Sequence, residues 1–176
     1  MKLEFTKMHG IGNDYIYVNC LEKPLNNPAE VSKLLSPRHK AIGADGLVCI
    51  EPSTVADIKM RMFNADGSEA QMCGNAVRCI AKYVFEKNLC KKEVIDLETK
   101  AGIIKLEVQT KGSNVESVRV NMGKPILKSS DIPTLIDSAE VIKFPLQVLD
   151  QTFEITCVSM GNPHACLLYT SPSPRD

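Results

Sequence analysis

The feature that most restricts the fold is a helix, predicted from residue 76 to residue 85, that is apolar on most of its circumference. Its apolar side chains recur at helical spacing; they are Ala76, Val77, Ile80, Ala81, Val84 and Phe85. The charged side chains near it are Arg78, Lys82 and Glu86. A helix that is apolar nearly all round is usually buried. Other parts of the chain must therefore cover this helix.

Strand patterns occur on both sides of this helix in the sequence. They alternate polar and apolar residues or are rich in β-branched residues; they cover residues 2–8, 15–18, 47–51, 58–62, 94–99, 103–109 and 117–122. A short helix is predicted from Pro28 to Leu35, with Asn27 as its N-cap and Pro37 after its end. We therefore expect an α+β fold in which a mostly antiparallel sheet wraps around a central helix.

Cys73 is predicted to lie just ahead of the central helix, with Asn75 as the N-cap residue. The partial positive charge of a helix N-terminus favours a thiolate over a thiol. The unpaired N–H groups of residues 74–76 also form a site for a carboxylate or a phosphate. Cys73 is therefore a candidate acid/base or nucleophile; the alternative is that it is a small buried hydrophobic residue, as most free cysteines are.

A glycine-bearing turn at residues 10–14 (GIGND) separates the first two predicted strands. One interpretation is a tight hairpin connection. The other is that its glycines let the backbone approach a ligand, to which Asn13 contributes amide hydrogen bonds. The sequence alone leaves both interpretations open.

Charge and cysteine content exclude several classes of function. Lys+Arg and Asp+Glu both total 21, so the formal net charge is zero, which gives no support to nucleic-acid or membrane-surface binding. The seven cysteines lack paired C-x-x-C spacing, and the histidines show no ligand spacing with them, so no metal site is predicted. No apolar run approaches the length of a membrane span. We expect a reduced, cytoplasmic protein with free thiols.

Four motifs, in order, resemble those of the diaminopimelate epimerase family. They are residues 8–14 (MHGIGND), 63–69 (FNADGSE), 72–79 (MCGNAVRC) and 161–164 (GNPH). The resemblance implies a cofactor-independent enzyme that interconverts LL- and meso-diaminopimelate, on the route to lysine and the bacterial cell wall. It also implies two cysteines at helix N-termini, one thiolate and one thiol, each in one half of a pseudo-symmetric fold.

The resemblance implies roles for seven residues of this sequence. Cys73 resembles the first catalytic cysteine and His164 a histidine that tunes the protonation of the cysteine pair. The residues that resemble substrate-binding groups are Asn13, Asn64, Gly74, Asn75 and Asn162. Some family members have a substrate-contacting glutamine where this sequence has Gly46. The implied partner is a small molecule; the oligomeric state stays open, with a homodimer as one alternative.

The family's second cysteine, followed by Gly and a helix, has no counterpart in this sequence. Cys157 and Cys166 lack a following glycine. We therefore expect three parts: a complete half at residues 1–123, an incomplete start of the second half at 124–165, and a non-native tail at 166–176. This chain alone is expected to be inactive or nearly so.

Two alternative functions remain open. A proline racemase or hydroxyproline epimerase would share the fold and the cysteines at helix starts. A non-catalytic thiol or anion-binding module would use the helix N-terminus without turnover, and slow alkylation of Cys73 at neutral pH would favour it.

Overall fold

The computed structural model describes residues 2–167, in two compact units, one ending at Asn121 and one beginning at Met122. The division into domains predicted from the sequence stays a prediction, because a compact unit is not by itself a domain that folds alone. Among the described residues, no helix is long and apolar enough to cross a bilayer.

The described part of the first unit contains eight strands and two helices. In chain order they are β1 (Thr6–Gly10), β2 (Asn13–Asn19), α1 (Pro28–Leu35), β3 (Gly46–Glu51), β4 (Ile58–Asn64), β5 (Glu69–Ala70), α2 (Gly74–Glu86), β6 (Val94–Thr99), β7 (Gly102–Lys111) and β8 (Asn114–Val120). The strands form one sheet in the order β1-β2-β3-β4-β6-β7-β8, with β5 paired to β4. The β2–β3 and β4–β6 pairs are parallel and the others antiparallel.

The sheet curls around α2, as the sequence predicted. Helix α2 contacts β1 and β2 at one end of the strand order and β7 and β8 at the other. Val77, Ile80 and Val84 have no exposed surface. Burial of each such side chain contributes roughly 1.5–3 kcal/mol relative to exposure. The expected α+β fold with a central helix is therefore confirmed.

Helix α1 covers the other face of the sheet and has the bounds predicted from the sequence. It packs with Ile16, Leu47 and Phe63 in one apolar cluster. Strands β2 and β3 are thus covered on both faces, which explains their nearly continuous apolar runs. Asn27 is the N-cap residue in a left-handed conformation (φ 49°), but its side chain makes no cap hydrogen bond.

The turn between β1 and β2 is a tight hairpin. Gly10 pairs with Asn13, so the loop is only Ile11 and Gly12, with φ of 52° and 76°. Two positive φ values are the signature of a type I′ turn, whose twist matches that of the strands it joins. The interruption between the two strands, predicted from residue 10 to residue 14, is therefore too wide. The first strand also begins at Thr6 instead of residue 2.

The second unit contains a three-stranded antiparallel sheet in the order β11-β10-β9, formed by Phe144–Val148 (β9), Gln151–Ser159 (β10) and Pro163–Leu167 (β11). A small apolar cluster includes Ile132, Val141 and Ile155. Cys166 and Leu167, assigned from the sequence to a non-native tail, pair with β10. The rest of that predicted tail, residues 168–176, lies outside the described residues.

Replacing Ile11 tests the cost of the hairpin turn. A β-branched residue with positive φ is strained, by on the order of 1–3 kcal/mol. The side chain is 90% exposed, so little packing is lost with it. We expect Ile11→Asn to raise the free energy of unfolding by about 1 kcal/mol, measured by urea denaturation. Val55→Asn, at another exposed apolar residue, is the control and should change stability little. A loss of stability in Ile11→Asn would contradict the assignment of strain.

Candidate active site

Cys73 is itself the N-cap residue of α2, with an extended backbone (φ −143°, ψ 118°). Its carbonyl accepts the first helical hydrogen bond, from the Val77 N–H at 3.0 Å. Residues 74–76 form the first turn, whose N–H groups have no acceptor within the helix. The half-buried Cys73 side chain makes no cap hydrogen bond. The thiol therefore lies at the start of a helix whose first-turn donors are open to an anion.

The prediction of Asn75 as the N-cap was wrong. Asn75 is the second residue of α2, and its side-chain oxygen accepts a hydrogen bond from the Arg78 guanidinium. Asn is a favoured N-cap residue, whereas Cys is outside the group of favoured caps, so propensity pointed to the wrong position. Gly74, predicted to bind substrate, is the first helical residue.

The β1–β2 hairpin lies directly against this first turn. A Cβ placed on Gly10 would be 3.1 Å from the Cβ of Asn75, so glycine allows the close approach. The hairpin brings Asn13 to the cysteine, with 3.4 Å between Cys73 Sγ and Asn13 Oδ1. Of the two interpretations of the glycine turn, the tight hairpin is confirmed, and the approach of a ligand stays a prediction. The turn is a tight hairpin, and it places Asn13 against the cysteine.

A charged cluster holds the other side of the Asn13 amide. Asn13 Nδ2 donates to Asp45 Oδ2 at 2.7 Å. Arg38 Nη2 donates to Asp45 Oδ1 at 3.0 Å and to Asp14 Oδ1 at 2.6 Å. Lys7 Nζ lies 3.0 Å from Asp14 Oδ2. The hydrogen bond from Arg38, more than any other cause, lowers the pKa of Asp14 to about 2.

The sequence analysis did not identify this cluster. Arg38 lies among basic residues that resemble an ordinary exposed group, and it is only three residues past the end of α1. Asp14 could have indicated this cluster from the sequence, because a carboxylate at the start of an apolar strand is buried only when it has a partner of opposite charge. Its side chain is 13% exposed in the structure.

Two tyrosines share the Asn13 face of β2, because side chains at alternate strand positions point the same way. Tyr15 is buried, and burial followed by the neighbouring Cys73 raises its pKa to about 12. Burial also raises the pKa of Tyr17, which lies beside Cys79. Within the described residues the Tyr17 hydroxyl has no hydrogen-bond partner. Strand β2 thus presents a column of polar groups to the start of α2.

Asn64 lies at the same end of the sheet as Asn13. Tyr15 pairs with Gly46 and Gly46 with Asn64, so Asn64 is two strands from β2, roughly 10 Å across the sheet. Its side-chain Nδ2 donates to Ser68 Oγ at 2.9 Å. Its predicted contact with substrate stays a prediction.

Gly46 leaves no room for a side chain. A Cβ at this position would be 2.1 Å from the carbonyl oxygen of Phe63. A glutamine at this position would require the backbone of β3 or β4 to move. The glutamine contact of some family members is therefore unavailable from this position.

Asn162 and His164 lie in the second unit. The backbone carbonyl of Asn162 accepts from the Met160 N–H at 3.1 Å, in the loop between β10 and β11. His164 is an exposed residue of β11, opposite Val158. Their predicted roles in substrate binding and in tuning the cysteines stay predictions.

All seven cysteines lie within the described residues, and all seven are free thiols. Four are buried: Cys20, Cys49, Cys79 and Cys157. Cys90 follows the end of α2 and is half-buried, and Cys166 is exposed on β11. Of these, Cys73 alone combines partial exposure with a helix N-terminus.

Comparison with known proteins gives one consistent result at the level of sequence. The family model described as Diaminopimelate epimerase matches residues 5–128. The diaminopimelate epimerase of Acetivibrio thermocellus is 55% identical over 163 residues, covering 93% of this chain and 58% of that protein. The diaminopimelate epimerase of Methanococcus maripaludis is 54% identical, covering 93% of this chain and 59% of that protein. The chain thus spans less than two thirds of the length of these relatives.

Solved structures resemble this chain in fold. A hydroxyproline epimerase from Agrobacterium vitis superposes with a TM-score of 0.64 at 15% identity, covering 93% of this chain and 50% of that one. A phenazine biosynthesis protein of the PhzF family from Bacillus anthracis gives 0.61 at 20% identity, covering 95% and 56%. At such identities the likeness concerns the fold alone, so it does not choose between substrates.

The charged cluster predicts a pH dependence of stability. The folded-state pKa of Asp14 is about 2, below the value of about 3.9 of an unfolded aspartate. A carboxyl group whose pKa is lowered by folding stabilises the folded state at pH values above its unfolded-state pKa. This stabilisation is lost as the pH falls through the folded-state pKa. We expect the stability advantage of the chain over Asp14→Asn to be largest above about pH 4 and to shrink towards about pH 2. Urea denaturation at several pH values measures this.

The control for this measurement is Asp137→Asn, at an exposed carboxylate of the second unit. Its stability difference from the unsubstituted chain should stay small across the same pH range. An Asp14→Asn difference that does not change with pH would contradict the role assigned to Arg38.

Proposed function

Because this chain belongs to the diaminopimelate epimerase family, we propose that it forms part of a cofactor-independent epimerase acting on diaminopimelate. The observation that carries the proposal is the position of Cys73 at the N-cap of α2, with Asn13 beside its sulfur. Relatives that are 54–55% identical over 163 residues are diaminopimelate epimerases, which supports the same substrate here. The reaction class is an amino-acid isomerisation.

The first-turn N–H groups of residues 74–76 bind the α-carboxylate of the substrate in this proposal. A carboxylate at a helix N-terminus satisfies donors that have no acceptor within the helix and interacts favourably with the helix dipole. As the α-proton leaves, the electron pair of the broken C–H bond delocalises into this carboxylate. Donors already in place stabilise the added charge without reorganising.

Cys73 transfers the proton on one face of the α-carbon. As a thiolate it takes the proton, and as a thiol it donates the proton to the carbanion that forms when the other face has been deprotonated. Inversion requires a second acid/base group on the opposite face. Cys157 is buried and Cys166 belongs to a strand, so neither is proposed for that role. The family resemblance implies a further cysteine at a helix start.

Amide side chains are proposed to recognise the rest of the substrate. Asn13, Asn64 and Asn162 offer neutral donors and acceptors to a long molecule that carries both charges at each end. Asn13 is the best supported of the three, since it lies against Cys73. His164 is proposed to influence the protonation of the cysteines.

A chimera tests the function directly. Residues 1–165 of this chain are joined to the remaining C-terminal residues of the Acetivibrio thermocellus relative. We expect the chimera to exchange the α-proton of LL-diaminopimelate for deuterium and to form the meso isomer, as followed by NMR. Cys73→Ala should lower the rate by at least about 100-fold, because it removes an acid/base group. The 176-residue chain is assayed beside it and is expected to be inactive.

The matched control is Cys90→Ala, which removes another half-buried cysteine beyond the C-terminal end of the same helix and should leave the rate nearly unchanged. A chimera whose activity survives Cys73→Ala would refute the assignment. Turnover of proline or hydroxyproline in place of diaminopimelate would instead support a proline racemase or hydroxyproline epimerase.

A further inference from the structure

We propose that Asp45, held by Arg38, is a positioning residue that orients the Asn13 amide and thereby keeps Cys73 as a thiol in the substrate-free site. The inference rests on the proposed function, because it assigns Cys73 the role of the resting acid in that reaction. Asp45 touches neither the cysteine nor, in the proposed mechanism, the reacting carbon. It acts through Asn13.

The orientation of the amide follows from the chemistry of its neighbours. An ionised carboxylate only accepts hydrogen bonds, so the Asn13 group at 2.7 Å from Asp45 Oδ2 must be the amino group. The carbonyl oxygen is then the atom at 3.4 Å from Cys73 Sγ. A thiol donates a hydrogen bond to that oxygen, whereas a thiolate would face it as a second acceptor. The contact therefore favours the protonated cysteine.

Asp45 is fixed by contacts on two sides. The Arg38 guanidinium, which is always protonated, donates to Asp45 Oδ1 at 3.0 Å and holds this oxygen on the side away from Asn13. The Asp45 backbone N–H donates to the carbonyl of Asp14 at 2.8 Å, and its carbonyl accepts from the Ala65 N–H at 3.0 Å. The position of the acceptor that faces Asn13 is thus fixed.

Other groups also lie around Cys73, and the Tyr15 hydroxyl interacts with both Cys73 and Asn13. The titratable neighbours are Tyr15 and Tyr17 on β2, Cys79 on α2 and, further away, Asp45 itself. The pKa of Tyr15 is raised to about 12 and that of Tyr17 is also raised, so both hydroxyls are neutral at working pH. The N-terminus of α2 favours the thiolate. The Asn13 oxygen opposes it, so turning this amide is expected to shift the balance between the thiol and the thiolate.

The substitution Asp45→Asn tests this orientation. An asparagine at position 45 can donate its amino group to Asn13 Oδ1, which turns the amino group of Asn13 towards Cys73 and favours the thiolate. We expect the rate of Cys73 alkylation by iodoacetamide at pH 7 to rise about tenfold, with the whole rate profile shifted to lower pH. Alkylation is read at the Cys73 peptide by mass spectrometry, with Cys90 as the reference thiol.

Two controls separate orientation from loss of charge. Asp14→Asn removes a carboxylate from the same guanidinium without touching Asn13, and it should leave the Cys73 profile nearly unchanged. Asp45→Asn in an Asn13→Ala background should no longer shift the profile relative to Asn13→Ala alone. A shift that survives this background, or no shift in Asp45→Asn, would overturn the proposal.

A second variant keeps the test decisive if Asp45→Asn unfolds. Asp45→Ala leaves the Asn13 amide free to rotate, so a smaller shift in the same direction is expected, and an unchanged profile counts against the proposal. The alkylation assay requires no substrate and no turnover. Its outcome is measured separately from the chimera experiment, so a failure of the amide orientation can be told apart from a failure of the proposed function.

Discussion

The structure depends on the burial of one helix. Helix α2 has Val77, Ile80 and Val84 fully out of solvent, so the face that carries them requires cover. The curled sheet supplies that cover, and its first hairpin meets the start of the helix. The Gly10 contact with Asn75 is a consequence of this packing. Hydrophobic burial thus determines which polar groups lie at the helix N-terminus.

The polar groups at that end are balanced against each other. The helix N-terminus and the Asn13 carbonyl act on the Cys73 sulfur in opposite directions, one favouring negative charge and the other a bound proton. A group that must both give and take a proton works best when neither form is strongly preferred. Arg38 and Asp45 hold the Asn13 carbonyl towards the sulfur, although neither residue contacts the cysteine.

Local sequence signals predicted the elements well and the site only in part. Pro28 and the spacing of apolar residues located α1 with its observed bounds, and the apolar circumference of α2 indicated the wrapped sheet. The contacts of Asn13 were beyond such signals, because Asp45 is 32 residues away and Cys73 is 60. Only the fold brings them together. Asn75 was misassigned as a cap because Asn is a favoured cap residue and Cys is not, whereas in the structure the Asn75 side chain accepts from Arg78 inside the helix.

Gly46 has an evolutionary consequence. Its Cα lies so close to β4 that any side chain would meet the Phe63 carbonyl, so a single substitution cannot introduce a larger residue without moving the backbone. The residue at this position and the path of the facing strand have to change together. A change in this part of the sheet is therefore expected to require coupled substitutions on β3 and β4.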